Sequence, residues 1–238
     1  MTDYIAIIFA RGGSKGIPGK NLLDLNGKPL VAWSIESAKK INKISRIIVS
    51  TDSEEIAEVA LKFGAEIPFL RPSELSLDKS SEWGAWQHAV RYLRDKDPNL
   101  SSGFISLPPT SPLRSIEDIQ SALNLYESGD FDIILSYTKT NKNPYFNMIK
   151  KNEFNSSIHL AGKLNTPIFR RQDAPEMFEL TTSVYVTNFD YIINNNQIFS
   201  GNVGGIEVPR IRSVDIDDFL DFEVCKTIIN SHNLDQNE

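Results

Sequence analysis

Near its start the chain runs Tyr4-Ile5-Ala6-Ile7-Ile8-Phe9-Ala10-Arg11-Gly12-Gly13-Ser14-Lys15-Gly16-Ile17-Pro18-Gly19-Lys20-Asn21. The apolar part, residues 4–9, predicts a buried strand. The glycine-rich and basic part, residues 10–21, follows that strand and precedes a helical pattern that begins at Pro29. In α/β folds a loop at this place presents backbone amides to phosphate groups. Residues 10–21 are called the phosphate loop below.

The chemistry of the phosphate loop fits a polyphosphate ligand. Its glycines allow an anion to approach the backbone closely, and Arg11, Lys15 and Lys20 add three positive charges. Amides and cations together can bind a triphosphate and stabilise the charge that builds up on a leaving pyrophosphate. The nucleotide-binding candidates within the loop are Ala10, Arg11, Gly12, Gly13, Ser14, Lys15, Lys20 and Asn21.

Two better-known phosphate motifs do not fit this loop. A Walker-type loop ends in Gly-Lys-Ser/Thr and has a Gly five positions before that ending Gly, whereas Ser14 occupies the earlier position and Asn21 the later one. The dinucleotide pattern G-x-G-x-x-G is also absent from residues 10–21. A merely flexible surface loop remains the alternative.

The rest of the chain predicts an α/β fold with a mostly parallel central sheet and helices on both faces, because short apolar runs alternate with helical patterns. Asp52, with Glu55 three residues later, is predicted to cap a helix that ends at Gly64. A loop rich in proline, residues 108–114, follows one strand, at the edge where open α/β sheets bind ligands. The predicted strands are 4–9, 47–51, 104–107, 132–137, 181–186 and 206–208, and the predicted helices are 29–41, 52–64, 81–94, 116–128, 189–193 and 217–229.

Regularity weakens between Thr138 and Leu180, where asparagines and prolines are frequent. We interpret residues 138–180 as an arm inserted into a single domain that covers residues 1–238.

Four carboxylates follow the last predicted strand: Asp215, Asp217, Asp218 and Asp221. On an extended backbone Asp215 and Asp217 point to the same face, and two carboxylates with substrate phosphates suit Mg²⁺. The alternative is that these acids cap and begin the last helix, where negative charge is favourable. We assign Asp218 and Asp221 to that alternative and Asp215 and Asp217 to a metal site.

Composition excludes several classes of function. The chain has 238 residues, a net charge of −6 and an isoelectric point near 5.2, which argues against binding along a nucleic-acid backbone. No stretch approaches the roughly 20 apolar residues of a membrane span, and no export signal precedes Tyr4, so we expect a cytoplasmic protein. The single cysteine, Cys225, is expected to be a buried residue of a helix.

The phosphate loop closely resembles the signature loop of the acylneuraminate cytidylyltransferases. Further matching motifs are Ser50-Thr51-Asp52, Arg71-Pro72, Pro109-Thr110-Ser111-Pro112-Leu113-Arg114, Arg171-Gln172-Asp173 and Val214-Asp215-Ile216-Asp217. The resemblance implies a Rossmann-like nucleotide-diphospho-sugar transferase fold. It also implies transfer of CMP from CTP to a nonulosonic (sialic-acid-like) sugar, with release of pyrophosphate and with Mg²⁺ as cofactor.

The resemblance also implies roles for residues of this chain. Asp215 and Asp217 would hold the metal at the α-phosphate, and Asp217, or a water or hydroxyl near it, would accept the proton of the sugar hydroxyl. Arg11 and Lys20 join Asp217 as catalytic candidates, and Arg71 and Ser80 join the nucleotide-binding candidates. The sugar-binding candidates are Asn21, Gln87, Thr110, Ser111, Arg170, Arg171 and Gln172.

In the resembling family the arm crosses to a second subunit and contributes basic residues to its sugar site. Lys163, Arg170 and Arg171 lie in the matching region, so we expect a homodimer. The remaining partners are CTP and an acidic sugar, without nucleic acid or membrane.

Three departures from the family pattern concern the sugar side. Pro108 stands where a Gln is common, Thr181-Thr182 where Asn-Gly is common, and Phe178 where an aromatic hydroxyl is common. We therefore expect that the acceptor need not be N-acetylneuraminate; a legionaminic-type or other nonulosonic acid, or an amino variant of an octulosonate, fits equally well. A nucleotidyltransferase acting on a neutral sugar-1-phosphate and a non-catalytic nucleotide-binding regulator remain as alternatives.

Overall fold

The computed structural model describes residues 3–100, 102–166 and 168–234. Its strands are β1 Tyr4–Phe9, β2 Asp24–Leu25, β3 Lys28–Pro29, β4 Ile44–Ser50, β5 Gly103–Ser106, β6 Ile133–Lys139, β7 Ile149–Lys151, β8 Ile158–Leu160, β9 Phe178–Asn188 and β10 Val203–Glu207. Its α-helices are α1 Leu30–Lys39, α2 Glu54–Lys62, α3 Glu82–Lys96, α4 Ile116–Glu127, α5 Phe189–Asn194 and α6 Phe219–Leu234.

Six of these strands form one sheet in the order β10-β6-β9-β5-β1-β4. The neighbouring pairs are parallel except those of β9, which runs antiparallel to both β5 and β6. The prediction of a mostly parallel sheet is confirmed. The carboxyl ends of β1, β4 and β5 therefore meet at one edge, and this edge carries the phosphate loop and the proline-rich loop.

Helices cover both faces of the sheet. The side chains of a buried strand alternate between the two faces, so each face contributes to its own core. Ala6 and Ile8 of β1 pack into the core that contains α1 and α4. Ile5 and Ile7 pack into the opposite core, which contains Trp86 of α3. Among the described residues no helix combines the length and the apolar character needed to cross a membrane.

A third, smaller core joins the two ends of the chain. Ile17 of the phosphate loop packs there with Ile216 and with Phe222 and Cys225 of α6. Cys225 is fully buried, as expected, and burial raises its pKa to about 12. This core places the late aspartates beside the phosphate loop.

The start of α2 differs from the prediction. Ser53, not Asp52, caps the helix, since its hydroxyl accepts a hydrogen bond from the amide of Ile56 at 3.4 Å. Asp52 instead accepts a hydrogen bond from the amide of Gly12 at 2.8 Å. The carboxylate thus fastens the phosphate loop. Gly64 follows the helix with a positive φ of 85°, as expected for a residue that ends a helix.

The last helix begins at Phe219, two residues later than predicted. Asp218 Oδ1 accepts from the amides of Leu220 and Asp221 at 2.8 and 3.1 Å, and Asp221 Oδ2 accepts from the amide of Asp218 at 3.0 Å. Asp218 and Asp221 therefore cap the helix, in agreement with their assignment.

The irregular arm is shorter than predicted, because its ends belong to the sheet. Thr138 pairs with Glu179, and Lys139 pairs with Phe178. Residues 140–177 lie between β6 and β9 and include the small antiparallel hairpin of β7 and β8. The name "arm" is used for residues 140–177 below.

Candidate active site

A cleft opens at the carboxyl edge of the sheet, between the phosphate loop and the segments that follow β4 and β5. One wall comes from residues 71–85, and the opposite wall comes from the proline-rich loop and from β9. The residues that line the cleft are Phe9, Arg11, Ser14, Lys15, Gly16, Lys20, Asn21, Arg71, Leu75, Leu77, Asp78, Ser80, Ser81, Glu82, Ala85, Pro108, Pro109, Thr110, Thr182 and Asp217.

The phosphate loop is held in place by hydrogen bonds within the protein. Asn21 Nδ2 donates to the carbonyl of Arg11 at 2.9 Å, and the amide of Ala10 donates to the carbonyl of Ser50 at 3.0 Å. The amides of Gly12 and Ser14 donate to Asp52 and to the Gly12 carbonyl. These three amides are thus occupied within the chain, and Lys15, whose side chain is 77% exposed, is the most accessible cation of the loop.

The phosphate loop meets the late aspartates directly. Lys20 Nζ donates to the carbonyl of Ile216 at 2.5 Å, across 196 positions of sequence, and lies 3.7 Å from Asp217 Oδ1. A Cβ atom on Gly16 would collide with the carbonyl oxygen of Asp217. The absence of a side chain at Gly16 therefore permits this close approach. The sequence predicts that these two segments act together, and the structure brings them into one cleft.

The late aspartates differ in their surroundings. The Asp217 side chain is 82% exposed, whereas Asp215 Oδ1 is buried and has no hydrogen-bond partner in the described part of the chain. Burial is the main cause of a raised Asp215 pKa, and the charge of Asp217 adds to it, while Thr110, Thr182 and Lys20 oppose the shift.

This pair of carboxylates fits a hard divalent cation. A buried, unpartnered carboxylate oxygen calls for a compensating group, and Mg²⁺ is commonly held by one or two carboxylates together with substrate phosphates. The described residues contain no group of three or more His, Cys, Asp or Glu side chains with metal-binding geometry. A site here would therefore consist of two carboxylates and the bound substrate.

Two buried arginines shape the cleft. Arg71 Nε donates to Ser50 Oγ at 3.1 Å, and burial lowers its pKa to about 10 against the opposing effect of Asp52, so Arg71 stays charged at neutral pH. Arg114 is more deeply buried, and burial lowers its pKa to about 9. Its guanidinium donates to the carbonyl of Ser183 at 2.7 Å and also to the Pro108 carbonyl. Arg114 thus holds the proline-rich loop against β9.

The wall opposite Arg71 contains Pro108, Pro109, Thr110 and Thr182. Ser111, a sugar-binding candidate, is fully buried and its hydroxyl lies 2.6 Å from that of Thr182. Ser111 thus positions Thr182 and does not itself line the cleft. Of the residues that depart from the family pattern, Pro108 and Thr182 face the cleft.

The other departures point elsewhere. The Thr181 hydroxyl donates to Ser136 Oγ at 2.8 Å inside the sheet. Phe178 lies outside the cleft and packs edge-on against Tyr137, with ring centroids 5.1 Å apart.

Several sugar-binding candidates also lie outside the cleft. Gln87 Nε2 donates to the carbonyls of Ile192 and Asn195 at 3.1 and 2.9 Å, so its amide fastens α3 to α5. We therefore revise the role of Gln87 from sugar binding to packing. The arm candidates do not line the cleft of their own chain; they are Lys163, Arg170, Arg171 and Gln172.

Two acidic residues of the cleft had no role in the sequence-based interpretation. Asp78 pairs with Arg11 and Lys15. Glu82 is accessible from the cleft but surrounded by protein atoms, and this desolvation raises its pKa, while Trp86 and Arg71 oppose the shift and Asp215 adds to it. Single acids before and at the start of a helix carry no motif, so the sequence offered no signal for them.

Comparison with known proteins identifies the family of this chain. A family model described as Cytidylyltransferase matches residues 5–198. The chain is 31% identical over 234 residues to the CMP-N,N'-diacetyllegionaminic acid synthase of Campylobacter jejuni, covering 98% of each chain. It is 32% identical over 233 residues to an N-acylneuraminate cytidylyltransferase of Escherichia coli, covering 98% of this chain and 53% of that protein.

A solved structure of CMP:2-keto-3-deoxy-manno-octonic acid synthetase complexed with CTP shares the fold, with a TM-score of 0.72 at 16% identity, covering 97% of this chain and 100% of that chain. The family match extends over most of the sequence, including the phosphate loop and Arg71. This chain therefore belongs to the cytidylyltransferase family and is a nucleotidyltransferase.

Proposed function

We propose that this chain transfers the CMP group of CTP to the anomeric hydroxyl of a nonulosonic acid and releases pyrophosphate. The observation that carries the proposal is the contact between the phosphate loop and the late aspartates, with Lys20 Nζ 3.7 Å from Asp217 Oδ1. This contact puts a group that stabilises phosphate charge beside a carboxylate pair suited to the phosphorus under attack. Relatives named for nonulosonic acids support the choice of acceptor.

The cleft divides the work between its walls. Arg11, Lys15 and Lys20 bind the phosphates of CTP and stabilise the charge that develops on pyrophosphate. Arg71 and Ser80, on the wall formed by residues 71–85, contact the nucleoside. Because CTP is kept inside the cell, the proposal includes the cytoplasmic location expected from the sequence.

In the chemical step the anomeric oxygen of the sugar forms a bond to the α-phosphorus, and the bond from that phosphorus to the bridging oxygen of the β-phosphate breaks. Asp217, or a water or hydroxyl next to it, accepts the proton of the sugar hydroxyl. Lys20 remains beside Asp217 and balances its charge. Asp215 and Asp217 would hold Mg²⁺, which when bound would neutralise charge on the α-phosphate.

The acceptor binds against the wall of Pro108, Thr110 and Thr182. Pro108 has no side-chain donor or acceptor, so a hydrogen bond that the more common Gln would make to the sugar is missing. The Thr182 hydroxyl, fixed by Ser111, offers a different contact. The proposal therefore favours a legionaminic-type or related acid over N-acetylneuraminate.

A homodimer completes the proposal. The arm exposes large apolar side chains, among them Phe154 at 96% and Phe169 at 85% exposure. Apolar patches of this kind mark interaction surfaces, and a second copy that covers them would also bring Arg170 and Arg171 to the neighbouring cleft. In sedimentation at micromolar concentration we expect a dimer, and a single monomeric species would contradict this part.

The direct test incubates purified protein and Mg²⁺ with each of the four nucleoside triphosphates and a panel of free sugar acids. The panel contains N-acetylneuraminate, legionaminic-type acids, pseudaminic acid and an octulosonate, and mass spectrometry identifies the products. We expect a CMP-sugar only with CTP, at the highest rate with a nonulosonic acid other than N-acetylneuraminate. Preference for N-acetylneuraminate would contradict the acceptor assignment, and product only from a sugar-1-phosphate would contradict the reaction class.

A further inference from the structure

In the cleft, one carboxylate bridges two cations of the phosphate loop. Asp78 Oδ1 lies 3.2 Å from Arg11 Nη1, and Asp78 Oδ2 lies 2.6 Å from Lys15 Nζ. Each oxygen of the carboxylate thus faces a different cation. A bound phosphate group would present oxygens to the same two side chains.

The segment that carries Asp78 has a defined conformation. The amide of Ser80 donates to the Leu77 carbonyl at 3.0 Å, and the Ser80 hydroxyl donates to the Glu74 carbonyl at 2.6 Å. Asp78 lies within the turn that these bonds close, on the wall formed by residues 71–85. Its contact with the loop therefore follows from the fold.

The two ion pairs are accessible to solvent. The exposed fractions of the side chains are 34% for Arg11, 77% for Lys15 and 40% for Asp78. Ion pairs with this exposure are weak, because water and salt screen them. A ligand with several negative charges can therefore displace the carboxylate.

The third cation of the loop is also paired, since Lys20 lies beside Asp217. All three loop cations thus have an acidic partner before a nucleotide binds. A triphosphate that approaches Arg11 and Lys15 meets the charge of Asp78, and like charges repel at short range. The polyphosphate and Asp78 therefore compete for the same two cations.

We propose that Asp78 competes with the polyphosphate for Arg11 and Lys15. Asp78 positions these two side chains when no polyphosphate is bound, releases them when the triphosphate binds, and pairs with them again as pyrophosphate leaves. Asp78 is thus a positioning residue that also limits how tightly the product is held. The inference rests on the proposed function only in requiring that a polyphosphate binds this loop.

The test measures binding without turnover. Inorganic pyrophosphate and inorganic triphosphate are titrated into the full chain by calorimetry, in the absence of sugar. For Asp78→Asn we expect dissociation constants about 3- to 10-fold lower than those of the unchanged protein, with a smaller gain at high salt. Asp78→Glu keeps the carboxylate and should bind like the unchanged protein.

Asp95→Asn is the matched control for net charge. Asp95 is exposed on α3, thirteen positions beyond Glu82, which corresponds to about 20 Å along the helix. Asp95→Asn removes the same charge far from the cleft, so the dissociation constants of this variant should change less than twofold. In turnover, Asp78→Asn should show stronger inhibition by added pyrophosphate.

The outcomes separate the two proposals. If the unchanged protein binds polyphosphate but Asp78→Asn binds it equally or more weakly, the role of Asp78 is overturned while the proposed function stands. An equal gain in Asp95→Asn would also overturn it, since net charge alone would then explain the result. If the unchanged protein binds neither polyphosphate, the phosphate loop assignment fails, and the role of Asp78 fails with it.

Discussion

The two sides of the cleft differ in how completely one chain builds them. On the phosphate side, Asp52 and Asn21 fix the loop through hydrogen bonds to Gly12 and Arg11, and Lys20 donates to Ile216 near the far end of the sequence. On the acceptor side, the basic candidates lie on an exposed arm, where Arg170 pairs with nearby Asp173 at 2.9 Å. We therefore propose that a single chain provides the nucleotide side of the cleft, and that the acceptor side would be completed by the arm of a second copy.

The comparison is most strongly tested at Lys20. Lys20→Ala removes a cation that lies 3.7 Å from Asp217 and binds the Ile216 carbonyl. Loss of a group that stabilises developing charge lowers kcat by about 10²- to 10³-fold. Steady-state kinetics with CTP measure the effect. Lys62 is exposed at the end of α2, so Lys62→Ala is the control, and its kcat should be close to that of the unchanged protein.

Gly16 tests whether the close approach of the two ends matters. Gly16→Ala places a Cβ against the carbonyl of Asp217, so the backbone must shift. We expect a loss of about 1 to 3 kcal/mol in the free energy of unfolding and a fall in kcat of at least about 10-fold, since a small misplacement is costly in catalysis.

Gly13→Ala is the matched control for folding in the same loop, because a Cβ at Gly13 meets no protein atom within 4 Å. The free energies of unfolding of the two variants in denaturant should differ clearly. Equal stability of both variants would show that the close approach of Gly16 to Asp217 has no structural weight.

Arg212 tests the support of the late aspartates. Its guanidinium donates to both oxygens of Asp118 on α4, at 3.0 and 2.7 Å, and so anchors the segment that leads to Asp215. Arg212→Gln leaves the largely buried Asp118 carboxylate with fewer partners, and we expect a loss of about 1 to 3 kcal/mol in the free energy of unfolding. Arg210→Gln, in the same short turn, should change it by less than about 0.5 kcal/mol.

The effect of Arg212→Gln depends on pH with a definite sign. Burial raises the pKa of Asp118, but the hydrogen bonds from Arg212 and from the Ser115 amide outweigh it and lower the pKa overall. A lowered pKa in the folded state stabilises the protein above the unfolded value of about 3.9, and this stabilisation is lost as the pH falls through the folded value. The difference in stability between the two proteins should therefore shrink as the pH falls below about 3.9 and be smallest below the folded pKa of Asp118. A difference that does not change with pH would argue against the ion pair.

The smallest effect on the folded monomer is expected in the arm. Phe169→Ser removes an exposed aromatic ring, so the free energy of unfolding of the monomer should change by less than about 0.5 kcal/mol. Association in sedimentation should weaken. Phe199→Ser, which lies outside the arm and is 59% exposed, is the control and should leave association unchanged.

That the phosphate loop and the late aspartates lie together in one cleft was expected from the sequence, and the structure agrees. The metal-binding role of Asp215 and Asp217 stays a prediction, because two acids at alternate positions also suit the start of a helix. Asp52 was harder. Its place after a strand and before a helix suits a cap equally well, and only the tertiary contact with Gly12 shows its role.

Other features depend on partners that are distant in sequence. Gln87 carries an amide suited to a sugar, but its helix turns that amide towards Asn195. Asp78 lies in a loop without a motif, and its pairing with Lys15 appears only once the two walls are assembled. The antiparallel direction of β9 likewise depends on how the chain returns from the arm.

The proposed chemistry requires that the phosphate loop, Asp215 and Asp217 act on the same substrate in one cleft. The most direct measurement is the turnover of Asp215→Asn and Asp217→Asn at saturating CTP, acceptor and Mg²⁺, with the affinity for CTP measured separately. We predict that each variant loses turnover by about 100-fold or more and still binds CTP. Near-normal turnover in both variants would contradict the account.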